Sequence, residues 1–149
     1  MAILLEGFED VVRSKFGIDA DDLSNEELNR PLIKGLAEAK IIKRVPTYAS
    51  ITDLLDSLHI QEAVINQICA SLCISMPKRL NLKVAISDVR IEKEKVDWAQ
   101  WEQKFLSNVE DNLSSITSVD VLSLSTIEGA GGGIVSIIRN DKYPIGGEY

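Results

Sequence analysis

His59 and Glu62 stand three apart in "SLHIQEA", where an imidazole and a carboxylate could share one helical face. A zinc site needs at least three protein ligands, and a histidine-activated nucleophile needs a Ser, Cys or Thr together with a third, orienting group. With one histidine in 149 residues and no G-x-S-x-G, neither chemistry assembles. His59 therefore reads as a partly exposed structural side chain. Cys69 and Cys73, the only cysteines, lie four apart in an apolar run, a spacing that puts both on one face of a helix. They are too few for a disulfide framework or a metal set and read as core thiols.

Two other stretches invite a chemical reading. "GAGGG" could cradle a phosphate, but dinucleotide and P-loop patterns require a following helix whose N-terminus faces the anion. Here β-branched residues follow, and the P-loop lysine is missing. The acidic clusters "EGFED" and "DADD" lack the D-x-D-x-D-G-x5-E spacing of a calcium loop and read as a solvated helix face and a turn. The sequence thus offers no catalytic residue, no metal ligand set and no cofactor site, and the expectation is a protein that is not an enzyme.

Charge narrows the partners. A net charge of -7 works against tight binding to nucleic acid, whose nonspecific affinity comes from phosphate neutralisation by Lys and Arg. A helix-turn-helix reading of "SITDLLDSLHIQEAVINQICASL" fails because Ile60 to Leu72, the would-be recognition segment, carries no Lys or Arg. No apolar run approaches a bilayer span, and "MAILLEGFED" has acids where a signal peptide carries bases, so neither a membrane nor a secretory route is expected.

The elements follow from periodicity. Leu4, Leu5, Phe8, Val11, Val12 and Phe16 mark an amphipathic helix over 2–16 that Gly17 can end. Ser24 and Glu27 have capping-box spacing for a short helix that Pro31 stops. Ile33, Leu36, Ala37 and Ile41 define a helix over 31–44, with Lys40, Lys43 and Arg44 in its last turn, where the dipole favours cations. A further helical stretch is expected over 51–74, in two pieces broken near 58–60 and stopped by Pro77. Leu80, Leu82, Val84 and Ile86 alternate, which predicts a strand or extended loop near 80–91. Trp98, Trp101, Phe105, Val109, Leu113 and Ile116 step by three or four and predict a long helix capped by Asp97 and Gln100, with both tryptophans in core packing.

After Ser118 the pattern changes. "VDVLSLSTI" and "IVSII" are β-branched runs joined by "EGAGGG", which reads as a hairpin with a loose loop. The fold class expected is therefore mainly α: a small antiparallel helical bundle over 1–118 and a C-terminal β-hairpin or extended arm over 119–149. From Thr117 to Tyr149 the chain can reach up to roughly 110 Å when extended. A two-stranded ribbon is marginal in water, so the arm needs support from another chain or from its own body. Candidate partner-binding residues are the hinge glycines Gly129, Gly131, Gly132 and Gly133 and the strand residues Ile134, Val135, Ile137 and Ile138. Arg139, Lys142, Tyr143, Pro144 and Tyr149 add polar and aromatic anchors.

In the order of "NRPLIKGLAEAKIIKRV", "HIQEAVINQICASLC", the Trp98 to Ile116 helix and the tail "RNDKYPIGGEY", the chain resembles the head-to-tail adaptor, or connector, proteins of tailed bacteriophages. The resemblance implies a homo-oligomeric ring, typically twelvefold, in the neck of a virion assembled in the host cytoplasm. Its partners would be the portal protein, reached by the C-terminal arm, and a tail-side neck protein. DNA would be passing cargo, and acids facing the lumen would let that polyanion slide without sticking. The strand-like "LNLKVAI" and the long glycine hinge depart from that layout and leave open another neck or tail-completion protein. A cellular interaction module that uses the arm to capture one partner is the alternative from a different class.

Overall fold

The computed structural model of the chain describes residues 3–78, 96–123 and 137–138. Helix α1 spans Phe8–Phe16 and α2 spans Asn25–Leu28. A π-helical turn over Pro31–Gly35 leads directly into α3, Leu36–Arg44. After a 3-10 turn at Tyr48–Ser50 come the two long helices, α4 over Leu54–Leu72 and α5 over Trp98–Ser115. Two short strands, β1 at Val121–Leu122 and β2 at Ile137–Ile138, pair antiparallel with Val121 opposite Ile138 and Leu122 opposite Ile137. The expected fold class, mainly α with a β pair at its C-terminal side, is what the chain adopts.

Helices α4 and α5 form the centre of the bundle and run antiparallel. The N-terminal part of α4 meets the C-terminal end of α5, since His59 Nδ1 lies 3.0 Å from Asn112 Oδ1 and Asp56 accepts from the amide of Thr117. The α5 stripe Phe105, Val109, Leu113 and Ile116 is buried, as are Ile60, Val64 and Ile68 of α4. Val12 and Ile41 bring α1 and α3 into the same core. Each of the nine is 6% exposed or less, and at about 25 cal/mol per Å² such side chains supply most of the drive for folding.

The ends of the elements obey local chemistry. Ser24 Oγ accepts from Glu27 N, Asp53 Oδ1 from Asp56 N, and Asp97 Oδ1 from Gln100 N, each satisfying a donor that the first helical turn leaves orphaned. Gly17 ends α1 with φ +67°, a left-handed conformation that a side chain would oppose.

Two readings differ from expectation. Helix α1 begins at Phe8 instead of residue 2, because the amides of Ile3 and Leu4 both donate to Glu38 Oε1, at 3.0 and 3.1 Å. That carboxylate holds the chain against α3 in a non-helical path, and Gly7, at φ +90°, turns it into the helix. Consequently Leu5 is exposed although its helical spacing had placed it on the buried face. Helix α4 is continuous through 58–60, with no break. The strand or loop expected near 80–91 lies outside the described residues.

Candidate interaction site at the root of the C-terminal arm

Of the candidate partner-binding residues, Ile137 and Ile138 are brought into β2 beside β1. Gly129, Gly131, Gly132, Gly133, Ile134, Val135, Arg139, Lys142, Tyr143, Pro144 and Tyr149 lie outside the described residues. The described part of the site is the place where the arm leaves the bundle.

That root is fixed by two buried charged side chains. Asp56 stands in the first turn of α4, where the exposed amides of the helix favour an anion. It is 2% exposed and accepts from the backbone of the residues that follow α5: Ser118 N at 2.7 Å and Thr117 N at 3.1 Å, both to Oδ2. Burial alone would raise its pKa. The hydrogen bonds from Ser118 and Thr117, with the nearby His59, outweigh that and hold the carboxyl below its ordinary 3.8. A charged Asp56 thus serves two backbone donors at the turn out of α5.

Arg44, the last residue of α3, is 4% exposed and ties three elements together. Its guanidinium forms a two-pronged pair with Glu110 of α5, and Nε donates to the carbonyl of Leu122 in β1 at 2.9 Å. A planar fork with several donors suits this task in a way that a lysine would not. Beside it Val121 is 4% exposed within the core cluster, and Val119 packs against that cluster. The first strand of the arm is therefore part of the body.

Along the same helices a groove of about 660 Å³ opens between α3, α4 and α5. Its floor is apolar, with Ile41, Leu106 and Val109. Lys40 and Lys43 stand exposed at its rim, while Gln67, Gln103 and Ser107 offer neutral hydrogen-bonding groups. The Arg44 to Glu110 pair also lines it, so the groove and the root of the arm share a wall. On a chain of net charge -7, this is an apolar cleft with a positive rim.

The residues first considered for chemistry have structural partners. Asn112 Nδ2 donates to Asn108 O, which fixes the amide so that its Oδ1 accepts from His59 Nδ1–H. Burial pushes the Cys69 thiol up to about 12 and the Cys73 thiol to about 11, far from a reactive thiolate. Trp98 and Trp101 join Phe16 and Phe105 in one aromatic cluster, with ring centroids 5.4 to 6.2 Å apart. Among the described residues, no group of three His, Cys, Asp or Glu side chains could hold a metal ion.

Sequence reasoning singled out neither Asp56 nor Glu110. Arg44 was read only as a cation suited to a helix end. The available signal was an acid in the first turn of a helix and a base in the last turn of another, which periodicity assigns to dipole effects without naming a distant partner. No protein-family model matches the chain, and no curated protein or solved structure matches it.

Proposed function

We propose that this chain is a non-enzymatic structural subunit of a tailed-phage virion, a ring-forming head-to-tail adaptor whose C-terminal arm docks on the portal. The observation that carries this reading is the clamped root of the arm. Asp56 and Arg44 hold the turn after α5 and β1 on the bundle, and β1 pairs with β2 alone among the described residues. A ribbon of two strands is marginal by itself, and its outer edge carries backbone donors and acceptors suited to strand addition on a partner. Clamped at its base, such a ribbon is suited to handing a strand to a neighbour. The buried bundle beneath it is the support, and the acidic net charge suits a channel past which DNA moves without sticking.

Light scattering of the purified chain, alone and mixed with a candidate portal ring, tests the proposal. The expected result is a complex whose mass exceeds that of the portal by several copies of this chain. A chain that stays apart from every portal offered, at concentrations where adaptors join, would set the reading aside.

A further inference from the structure

The groove between α3, α4 and α5 has a counterpart on the same molecule. At the start of α4, Leu54, Leu55 and Leu58 are 74%, 61% and 53% exposed, three large apolar side chains within five residues. Leucines spaced i and i+4 form a ridge of the kind that a helix lays into an apolar groove. From Ile51 to Met76 the chain has acids at Asp53, Asp56 and Glu62 and no Lys or Arg. Asp56 is buried and Glu62 pairs with Lys15, so the ridge approaches as an apolar edge with the exposed carboxylate of Asp53 at its tip. The groove presents the complement: an apolar floor of Ile41, Leu106 and Val109 under the exposed Lys40 and Lys43.

We infer that the Leu54–Leu58 ridge of one copy seats in the α3/α4/α5 groove of the next, so that the chain associates with itself head to tail. The two features cannot meet within one molecule. Leu58 and Gln67, which lines the groove, are nine positions apart on α4. At about 100° per residue that places them about 180° apart around the helix and roughly 14 Å apart along it. Ridge and groove thus face opposite ways, and each copy that fills a neighbour's groove leaves its own groove open for another. Contacts of this heterologous kind close into a ring or continue as a filament, according to the rotation between copies. This deepens the adaptor reading by naming the contact between copies, and it does not involve the arm.

The test uses sedimentation velocity on the full chain over a concentration series. One variant carries Leu54→Ser and Leu58→Ser, another Lys40→Glu and Lys43→Glu. All four positions are exposed, and far-UV circular dichroism verifies that the variants fold. The wild type is expected to grow beyond a dimer. Each variant alone should associate at least about tenfold more weakly, as expected for losing buried leucine surface or reversing the rim charge. An equimolar mixture of the two should regain pairs and stop there, because one intact ridge meets one intact groove. A chain without residues 129–149 should associate as the wild type does, which separates this contact from docking by the arm. A wild type that remains monomeric, variants that associate like the wild type, or association lost only on removing the arm would each overturn the inference.

Discussion

Asp56→Ala should lower the unfolding free energy by about 3 kcal/mol, because it leaves the amides of Thr117 and Ser118 without their acceptor. The effect should exceed that of an ordinary cap, usually about 1 kcal/mol, since a buried charged acceptor serves two donors at once. Urea unfolding followed at 222 nm measures it. Asp56→Asn refines the result, because it keeps the size of the side chain and one acceptor oxygen but removes the charge. The sign of the pH dependence follows from the lowered pKa. The carboxylate contributes fully above its unfolded value, 3.8, and the contribution disappears as pH falls through the still lower folded value. The gap in stability between wild type and Asp56→Asn should therefore be wide near neutral pH and narrow below about pH 4. A gap that stays constant across that range would show that the charge is not what holds the turn.

Trp101→Ala is expected to cost about 3 kcal/mol, near the low end for removal of a large aromatic because the indole is only partly buried. The ring stacks on Phe16 at 6.2 Å with 12° between planes and meets Phe105 edge-on at 5.9 Å. Removing it takes the middle out of the aromatic contact between α1 and α5. A loss of this size lowers the melting temperature by roughly 10 °C in a domain of this length. Trp101→Phe, which preserves a ring for the stack, should recover more than half of the loss. An unchanged melting temperature for Trp101→Ala would contradict the packing role and direct attention to this cluster as a ligand platform.

The core stripes were legible because they repeat. Phe105, Val109, Leu113 and Ile116 are buried as their spacing predicts, and Asp97 caps α5 at Gln100 N. The same rule misled where apolar residues serve no core. Leu54, Leu55 and Leu58 are exposed at the start of α4 while Val64 and Ile68 further along it are buried, so the pattern looks interrupted, yet the backbone of α4 runs on unbroken. At the N-terminus, helical spacing could not foresee that Glu38, more than 30 positions away, would capture two amides and delay α1 until Phe8. Such long-range polar contacts have no period. That is also why the root of the arm was recognised as a change in pattern after Ser118 but not as a clamp made by Asp56, Arg44 and Glu110. The glycine hinge and the tail anchors lie outside the described residues.

The clamp also divides the chain into a body and an extension. Val121 and the carbonyl of Leu122 belong energetically to the bundle, through burial and through Arg44 Nε. Beyond them, the pairing of Ile137–Ile138 adds a short ladder that contributes little to folding by itself. Cutting after the clamp should therefore spare the fold, whereas breaking the clamp should damage it, as Asp56→Ala tests.

Removal of Gly129 to Tyr149 is the most direct measurement of the central claim, that the arm is anchored on the bundle but acts on another polypeptide. The truncated chain is expected to keep its helical circular dichroism and to melt within a few degrees of the full chain. In the same light-scattering mixture it should fail to join a portal ring that the full chain joins. A truncated chain that unfolds, or one that still docks, would contradict the account: the first would make the arm part of the core, and the second would place the docking surface on the bundle.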